Sequence, residues 1–405
     1  MGKALDGIRV IDMTHDQAGP SCTQMLAWLG AEVIKVEMAD GRGDRARYLR
    51  RDDPDKDSFF FLLLNNNKKS VTLDLRQQKG KEAFKTLINS ADVLVENRGP
   101  GAMNRLGLGY EDLSKINPRL VYGSVKGFGS YGPFSDYKCF EHVAQATSGA
   151  MSVTGWDDRA PSANGAGVGD SGTGMHIVIG LLAALVQRNV TGKGQMVEVA
   201  MQEAVLNLTR VRFAGTLGHG KPEPRLQFPS LGHPLGLGGL FPCAPGGPND
   251  YVYMIIPPEH NGMFSAALGV IDRQDLMEDP RFGSPSDRVS HAQDLYEEIK
   301  SWTEVREKRE VMAAFAGVGV PCGAVFDTSE VINQPHLIER GVVAEIEHPA
   351  RGKYTTIGCP VRLSDSQVEL SRPPLYGEHS DEVLTTLGGM TQEEVAELRR
   401  QKVII

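Results

Sequence analysis

Cysteine is sparse and scattered in this sequence. The five cysteines, Cys22, Cys139, Cys243, Cys322 and Cys359, lie far apart in 405 residues and form no Cys-x-x-Cys pair. That excludes a disulfide-built module and a structural zinc site, and a reducing cytosol is expected. Basic charge is also short: 43 Lys and Arg stand against 51 Asp and Glu, a formal net charge of −8. With the basic residues dispersed there is no broad footprint for nucleic acid, and any phosphate must be met by a few local cations. Long apolar runs are missing too. The longest, near 176–186, falls short of the roughly 20 residues that a bilayer crossing needs, and Met1–Gly7 has no apolar core of a secretory signal. The expectation is a soluble cytoplasmic protein with no nucleic-acid or membrane partner.

The length allows two or three domains. Ile8–Met13 reads as a buried strand, Gly19–Leu29 as a helix closed by Gly30, and Glu32–Glu37 as the next strand, which makes a βαβ unit with parallel strands. The alternation continues with strand Val71–Leu75, helix Lys79–Ser90, strand Asp92–Glu96, helix Tyr110–Ile116, strand Leu120–Ser124 and strand Met196–Ala200. The fold class is therefore α/β, with a Rossmann-like doubly wound parallel sheet. Its first βα turn, Thr14–Pro20, lacks the Gly-x-Gly-x-x-Gly that lets a dinucleotide pyrophosphate approach. Between about 212 and 250 the text turns rich in Gly and Pro, as a linker or active-site loop does. A second α+β unit follows: strand Tyr251–Ile256, helices at His260–Gly269 and Ala292–Ala316, strand Gly323–Asp327, with Trp302 and Phe315 in its core. Near the end, Tyr354–Ile357 and Val361–Leu363 predict a small sheet and Thr391–Arg400 a surface helix. The expected division is a large domain at 1–205, completed by about 360–405; a linker and Gly-rich loop at 206–245; a small domain at 246–345; and a return segment at 346–405.

Chemistry concentrates at Gly165–Gly174, where five glycines surround Asp170. Glycines free the backbone for φ > 0 and for close approach to a ligand. Asp170 precedes an apolar helix, whose free N–H groups favour an ionised, nucleophilic carboxylate. Two other readings share these letters. Asp170 can be a plain N-cap, and Ser171 in Gly169-Asp170-Ser171-Gly172 can be a hydrolase nucleophile, although no Gly-x-Ser-x-Gly elbow occurs.

Leu5–His15, Gln17–Pro20, Gly30–Glu37, Asn67–Ser70, Asp92–Asn97, Gly99–Ala102, Gly169–Ser171 and Gly377–Ser380, taken in that order, resemble the class III coenzyme A transferase family, and within it most the formyl-CoA:oxalate transferases. The resemblance implies two domains joined by long linkers, a C-terminal part that returns to the first domain, and two chains interlocked as a homodimer. It implies that Asp170 attacks an acyl-CoA thioester, with Gln17 beside it, and that a small carboxylate such as oxalate accepts the CoA. Coenzyme A thioesters are then substrates, with no permanently bound cofactor and no metal. The implied CoA contacts are His15, Gln17, Leu73, Asp74, Leu75, Arg76, Asn97, Arg98, Gly99, Arg105, Lys138, Cys139, Phe140 and Glu141. Met38 stands where the formyl-CoA enzymes carry Arg, leaving Arg42, Arg45 or Arg47 for the adenosine end. The glycine-rich substrate loop is shorter than theirs and carries His233, Gly238 and Gly239. The related acyl-CoA racemases use a His where Phe140 stands, and Phe cannot move a proton.

Overall fold

The computed structural model describes residues 2–225, 237–367 and 369–405. Two units are present, one formed by Met1–Ser152, Ala163–Glu223 and Glu339–Ile405 and the other by Val153–Ser162 and Pro224–Ile338. The short segment Val153–Ser162, inside the expected large domain, belongs to the second unit.

The first unit is built on β1 (Arg9–Met13), β2 (Glu32–Glu37), β3 (Lys68–Thr72), β4 (Val93–Glu96), β5 (Val121–Lys126) and β6 (Met196–Ala200). They form one sheet in the order β3-β2-β1-β4-β5-β6, and every pairing is parallel. Alternation in sequence becomes two faces in space. Val10 pairs with Val33 and Val93, and Val93 with Val121, and all four point to one apolar layer with the helices Ala18–Trp28 and Ser171–Thr191. One residue on, Ile11, Ile34, Leu94 and Tyr122 align and face the opposite layer, as a side-chain period of two requires. Helix Gln78–Asn89 covers this second face, and Val383, Leu384, Val395, Leu398, Val403 and Ile404 complete it from the chain's end.

β3 begins three residues earlier than expected because its lysines are neutralised where the strand runs: Lys68 reaches Asp12 at 3.1 Å and Lys69 reaches Glu32 at 3.0 Å. Helix Ser171–Thr191 has 21 residues, enough by length and composition to cross a membrane, so the apolar run read from sequence understates it. It buries Ile177, Val178, Leu181 and Leu185 against the sheet and ties Arg188 to Asp92 at 2.8 Å. A further hairpin pairs β10 (Val343–His348) with β11 (Gly352–Ile357). Val361–Leu363, expected as a strand, is largely exposed and makes only an isolated bridge, because the alternating Val343–His348 is the better partner.

In the second unit, β7 (Leu237–Pro242), β8 (Tyr251–Ile256) and β9 (Cys322–Ala324) form an antiparallel sheet. Gly238 and Gly239, expected in a loop, lie inside β7, and a Cβ on Gly238 would meet the Met254 carbonyl oxygen at 2.4 Å, so glycine there serves strand contact. The expected long helix is two, Ala292–Thr303 and Lys308–Gly317, with the Thr303 hydroxyl turned to the carbonyls of Pro242 and Lys300 at the break. Trp302 packs edge-on against Phe315, their ring centres 5.7 Å apart.

Candidate active site

A doubly wound sheet leaves a crevice beyond the carboxyl ends of the strands where the winding reverses. Here the reversal lies between β1 and β4, which are neighbours in the sheet. The turn after β1 carries His15, Asp16 and Gln17, and the turn after β4 carries Asn97, Arg98 and Gly99. One side chain joins them: the Asn97 amide donates to the His15 carbonyl at 2.8 Å and accepts from the His15 N–H at 2.9 Å. Asp16 takes φ +61°, a left-handed conformation that Asp tolerates better than most residues.

A cavity of about 270 Å³ opens at this point, and Asn97, Arg98, Gly99, Lys138, Cys139 and Phe140 line it together with Asp170. Cys139 is held against the chain, since a Cβ on Gly127 would fall 2.3 Å from its Cβ, and burial pushes its thiol up to about 11. It is therefore a neutral wall residue at physiological pH.

Asp170 precedes the helix as expected, but its surroundings reverse one expectation. Its side chain makes no capping hydrogen bond. The Glu141 carboxylate takes that place, accepting from the Gly169 N–H at 2.7 Å and from the Asp170 N–H at 2.7 Å. Burial, then the charges of Glu141 and Asp16, push the Asp170 carboxyl up to about 7. The helix end thus stabilises Glu141, and Asp170 is poised between its two protonation states near neutrality. The glycines act by closeness rather than by φ > 0, since none from Gly165 to Gly174 has a positive φ. A Cβ on Gly169 would stand 2.7 Å from the Glu141 carbonyl oxygen, and one on Gly174 2.8 Å from that of Ala18.

Gln17 and Glu141 touch the cavity wall from behind. The Gln17 amide donates to the Ser171 hydroxyl at 3.0 Å, and Ser21 shares that hydroxyl at 3.1 Å. Among the described residues neither hydrogen-bond partner of Ser171 is a base that could take its proton, as a serine nucleophile requires. His15 lies near buried Asp44, its Nδ1 3.7 Å from the carboxylate, and its buried Nε2 has no hydrogen-bond partner among the described residues. Burial and the Arg98 charge push His15 down to about 4, so it stays neutral.

Other expected contacts are not brought to this cavity. Leu73 and Leu75 point into the core beyond β3. Asp74 is buried and holds Arg76 in a two-pronged ion pair at 2.8 and 3.0 Å. Arg105 is exposed on helix Ala102–Leu106. Of the three arginines considered for the adenosine end, Arg47 is excluded, because it is buried against Glu37 and Asp57. Arg45 pairs with Asp16 at 2.9 Å and sits over the Phe140 ring, 5.6 Å from its centre, beside the cavity. His233 lies outside the described residues.

Two charged cavity residues, among several uncharged ones, were not foreseen from sequence. Asp16 is one, and Lys126 is the other, held by both oxygens of Glu96 at 2.7 and 3.0 Å and by the Arg98 carbonyl at 2.8 Å. The signal for Lys126 was position, two residues past the expected strand end. Beneath them is a buried charged floor in which Lys35 meets Asp44 at 2.7 Å.

Comparison with known proteins agrees with this geometry. Residues 5–380 match the family model described as CoA-transferase family III. The chain is 46% identical over 413 residues to a formyl-CoA:oxalate CoA-transferase of Streptomyces coelicolor, covering 99% of both chains. It is 42% identical to one of Rhodopseudomonas palustris, covering 98% of this chain and 96% of the relative. Among solved structures, a CAIB/BAIF family protein from Brucella suis superposes with a TM-score of 0.83 at 29% identity, over 96% of this chain and 100% of that one. A Mycobacterium tuberculosis protein superposes with a TM-score of 0.78 at 28% identity, over 94% and 98%. Sequence, sheet order and the crevice at β1 and β4 converge on one assignment: the chain belongs to CoA-transferase family III.

Proposed function

We propose that this enzyme moves coenzyme A from a short acyl-CoA, formyl-CoA first among them, to a small carboxylate, oxalate first among them. The observation that carries the reading is Asp170, a half-buried carboxylate with a pKa of about 7 in the wall of a cavity that also presents Arg98 and Lys138. The names and similarity of the Streptomyces and Rhodopseudomonas relatives support the substrate pair.

In this reading the Asp170 carboxylate attacks the thioester carbonyl, the C–S bond breaks, and CoA leaves as thiolate with a mixed anhydride left on Asp170. The thiolate attacks the aspartyl carbonyl, releases the acyl group as carboxylate and leaves an aspartyl-CoA thioester. Oxalate attacks that thioester to form a second anhydride, and the thiolate takes the oxalyl group, which restores Asp170. Each exchange is between activated acyl groups of similar energy, which is what a carboxylate nucleophile offers. Arg98 has no ion pair among the described residues and is free to meet a CoA phosphate, as Lys138 is. Gln17, whose amide donates to the Ser171 hydroxyl at 3.0 Å, is proposed to turn to the oxygens that gain charge.

The native state in this reading is a homodimer of interlocked chains in the cytoplasm. Helix Ser171–Thr191 leaves Ile179, Val186 and Val190 at 67%, 67% and 87% exposure, an apolar face that a second copy would cover. His233 is assigned to acceptor binding. A panel of formyl-, acetyl- and succinyl-CoA against oxalate, formate and other small acids tests the assignment. A short loop leaves room for larger acyl groups, so kcat/KM for formyl-CoA should exceed that for acetyl-CoA by less than about 100-fold. Failure of oxalate to accept CoA from every donor would overturn the substrate assignment.

A further inference from the structure

Ser171 opens helix Ser171–Thr191 next to Asp170, and its hydroxyl belongs to a chain of three hydrogen bonds that the transfer steps themselves leave unused. Ser21 donates its one hydroxyl proton back to the Gln17 carbonyl at 2.7 Å, so toward Ser171, 3.1 Å away, it can only accept. The Ser171 proton therefore points to Ser21. That leaves the Ser171 oxygen to accept from the Gln17 amide nitrogen at 3.0 Å. Every bond in the chain has a fixed direction, and the side of the Gln17 amide that is held is its N–H side.

Three further features fit the same arrangement. Gln17 stands at the N-cap of helix Ala18–Trp28, yet its side chain makes no capping bond and reaches across to a residue 154 positions away. Gly167 leaves the space in which the held amide lies, since a Cβ there would stand 2.5 Å from the Gln17 nitrogen. The Asp170 carboxylate, one residue from the hydroxyl that holds this donor, receives no hydrogen bond among the described residues.

We propose that Ser171 is a positioning residue: its hydroxyl docks the Gln17 amide away from the Asp170 carboxylate in the resting enzyme and gives it up when the thioester oxygen gains charge. The inference rests on the reading of Asp170 as nucleophile. A carboxylate that accepts a hydrogen bond is stabilised in its ionised form, so an undocked Gln17 would stabilise the resting state with the donor that the developing oxyanion needs. Undocking gives up a neutral hydrogen bond, and the charge-assisted bond gained at an oxyanion is about twice as strong. The exchange is therefore downhill only once the charge appears.

The titration of Asp170 tests the inference without any turnover. It is followed in the full chain through the 13Cγ resonance of 13C-aspartate-labelled protein, with Asp170→Asn identifying the peak. Glu141 and Asp16 act on this group by charge, Cys139 lies near it as a neutral thiol, and Arg98 and Lys138 line the same cavity; all five are kept in every variant. Ser171→Ala frees the Gln17 amide to donate to Asp170, so the midpoint should fall by about half a unit or more. Gly167→Ala, which displaces the docked amide, should move it in the same direction. In the Gln17→Ala background, Ser171→Ala should leave the midpoint where it is. A midpoint that neither Ser171→Ala nor Gly167→Ala moves, or that Ser171→Ala lowers equally without Gln17, overturns the inference. CoA transfer by the wild type is a separate assay, so a failed nucleophile reading is told apart from a failed dock.

Discussion

Glu141 holds the backbone N–H of Asp170 at 2.7 Å while its negative charge works against the ionisation of the Asp170 side chain. One residue therefore positions the proposed nucleophile and tunes it. Burial raises the Asp170 pKa most, with Glu141 next and Asp16 after it.

The pH dependence follows with a definite sign. The nucleophile is the ionised form, so kcat/KM should rise with pH through an apparent pKa near 7 and fall about tenfold per unit well below it. Glu141→Gln removes a like charge and should move this limb to lower pH, while weakening the hold on the Asp170 backbone and lowering kcat. An unmoved limb in the pH–rate profile would show that Glu141 does not tune Asp170.

Stability carries the opposite sign. The folded-state pKa of Asp170 is about 7 against an ordinary 3.8, so between those values the folded protein binds more protons than the unfolded chain. Its contribution is therefore full at low pH and is lost as the pH rises through that window. Asp170→Asn should stabilise the protein at pH 8 by on the order of 2 kcal/mol, allowing for partial exposure, and by little at pH 4. Thermal melts at the two pH values check it.

The glycines separate by what an added methyl would strike. At Gly169 it meets the Glu141 backbone, whereas at Gly167 it meets the movable Gln17 amide, 2.5 Å away. Gly169→Ala should cut kcat at least tenfold more than Gly167→Ala does, with both variants folded by circular dichroism.

Asn97 ties the turns after β1 and β4 by two hydrogen bonds to His15, each worth about 1 kcal/mol. Asn97→Ala should raise KM for acyl-CoA by roughly tenfold or more at a smaller loss in kcat, since it loosens the crevice without touching Asp170. Asn97→Asp, which keeps the acceptor and loses the donor, should fall between.

The sheet was legible because strands β1, β2, β4, β5 and β6 are short apolar runs punctuated by helices, and β2 and β6 begin and end where the pattern predicts. β3 was misplaced because its lysines look like surface residues until Asp12 and Glu32 are beside them. The place of Asp170 before its helix was legible from the sequence, but its protonation was not. Whether a helix end stabilises Asp170 or Glu141 depends on a contact between residues 29 apart in sequence. Arg47 failed for the same reason: nothing local shows that Glu37 and Asp57 bury it.

The proposed covalent role of Asp170 is tested most directly by trapping the acyl-enzyme. After the enzyme is mixed with formyl-CoA and quenched with hydroxylamine, mass spectrometry of the digest should find a hydroxamate on Asp170, and Asp170→Ala should show none while still binding CoA. Ser171→Ala should still be labelled. A modification on Ser171, or full turnover by Asp170→Ala, would contradict the account.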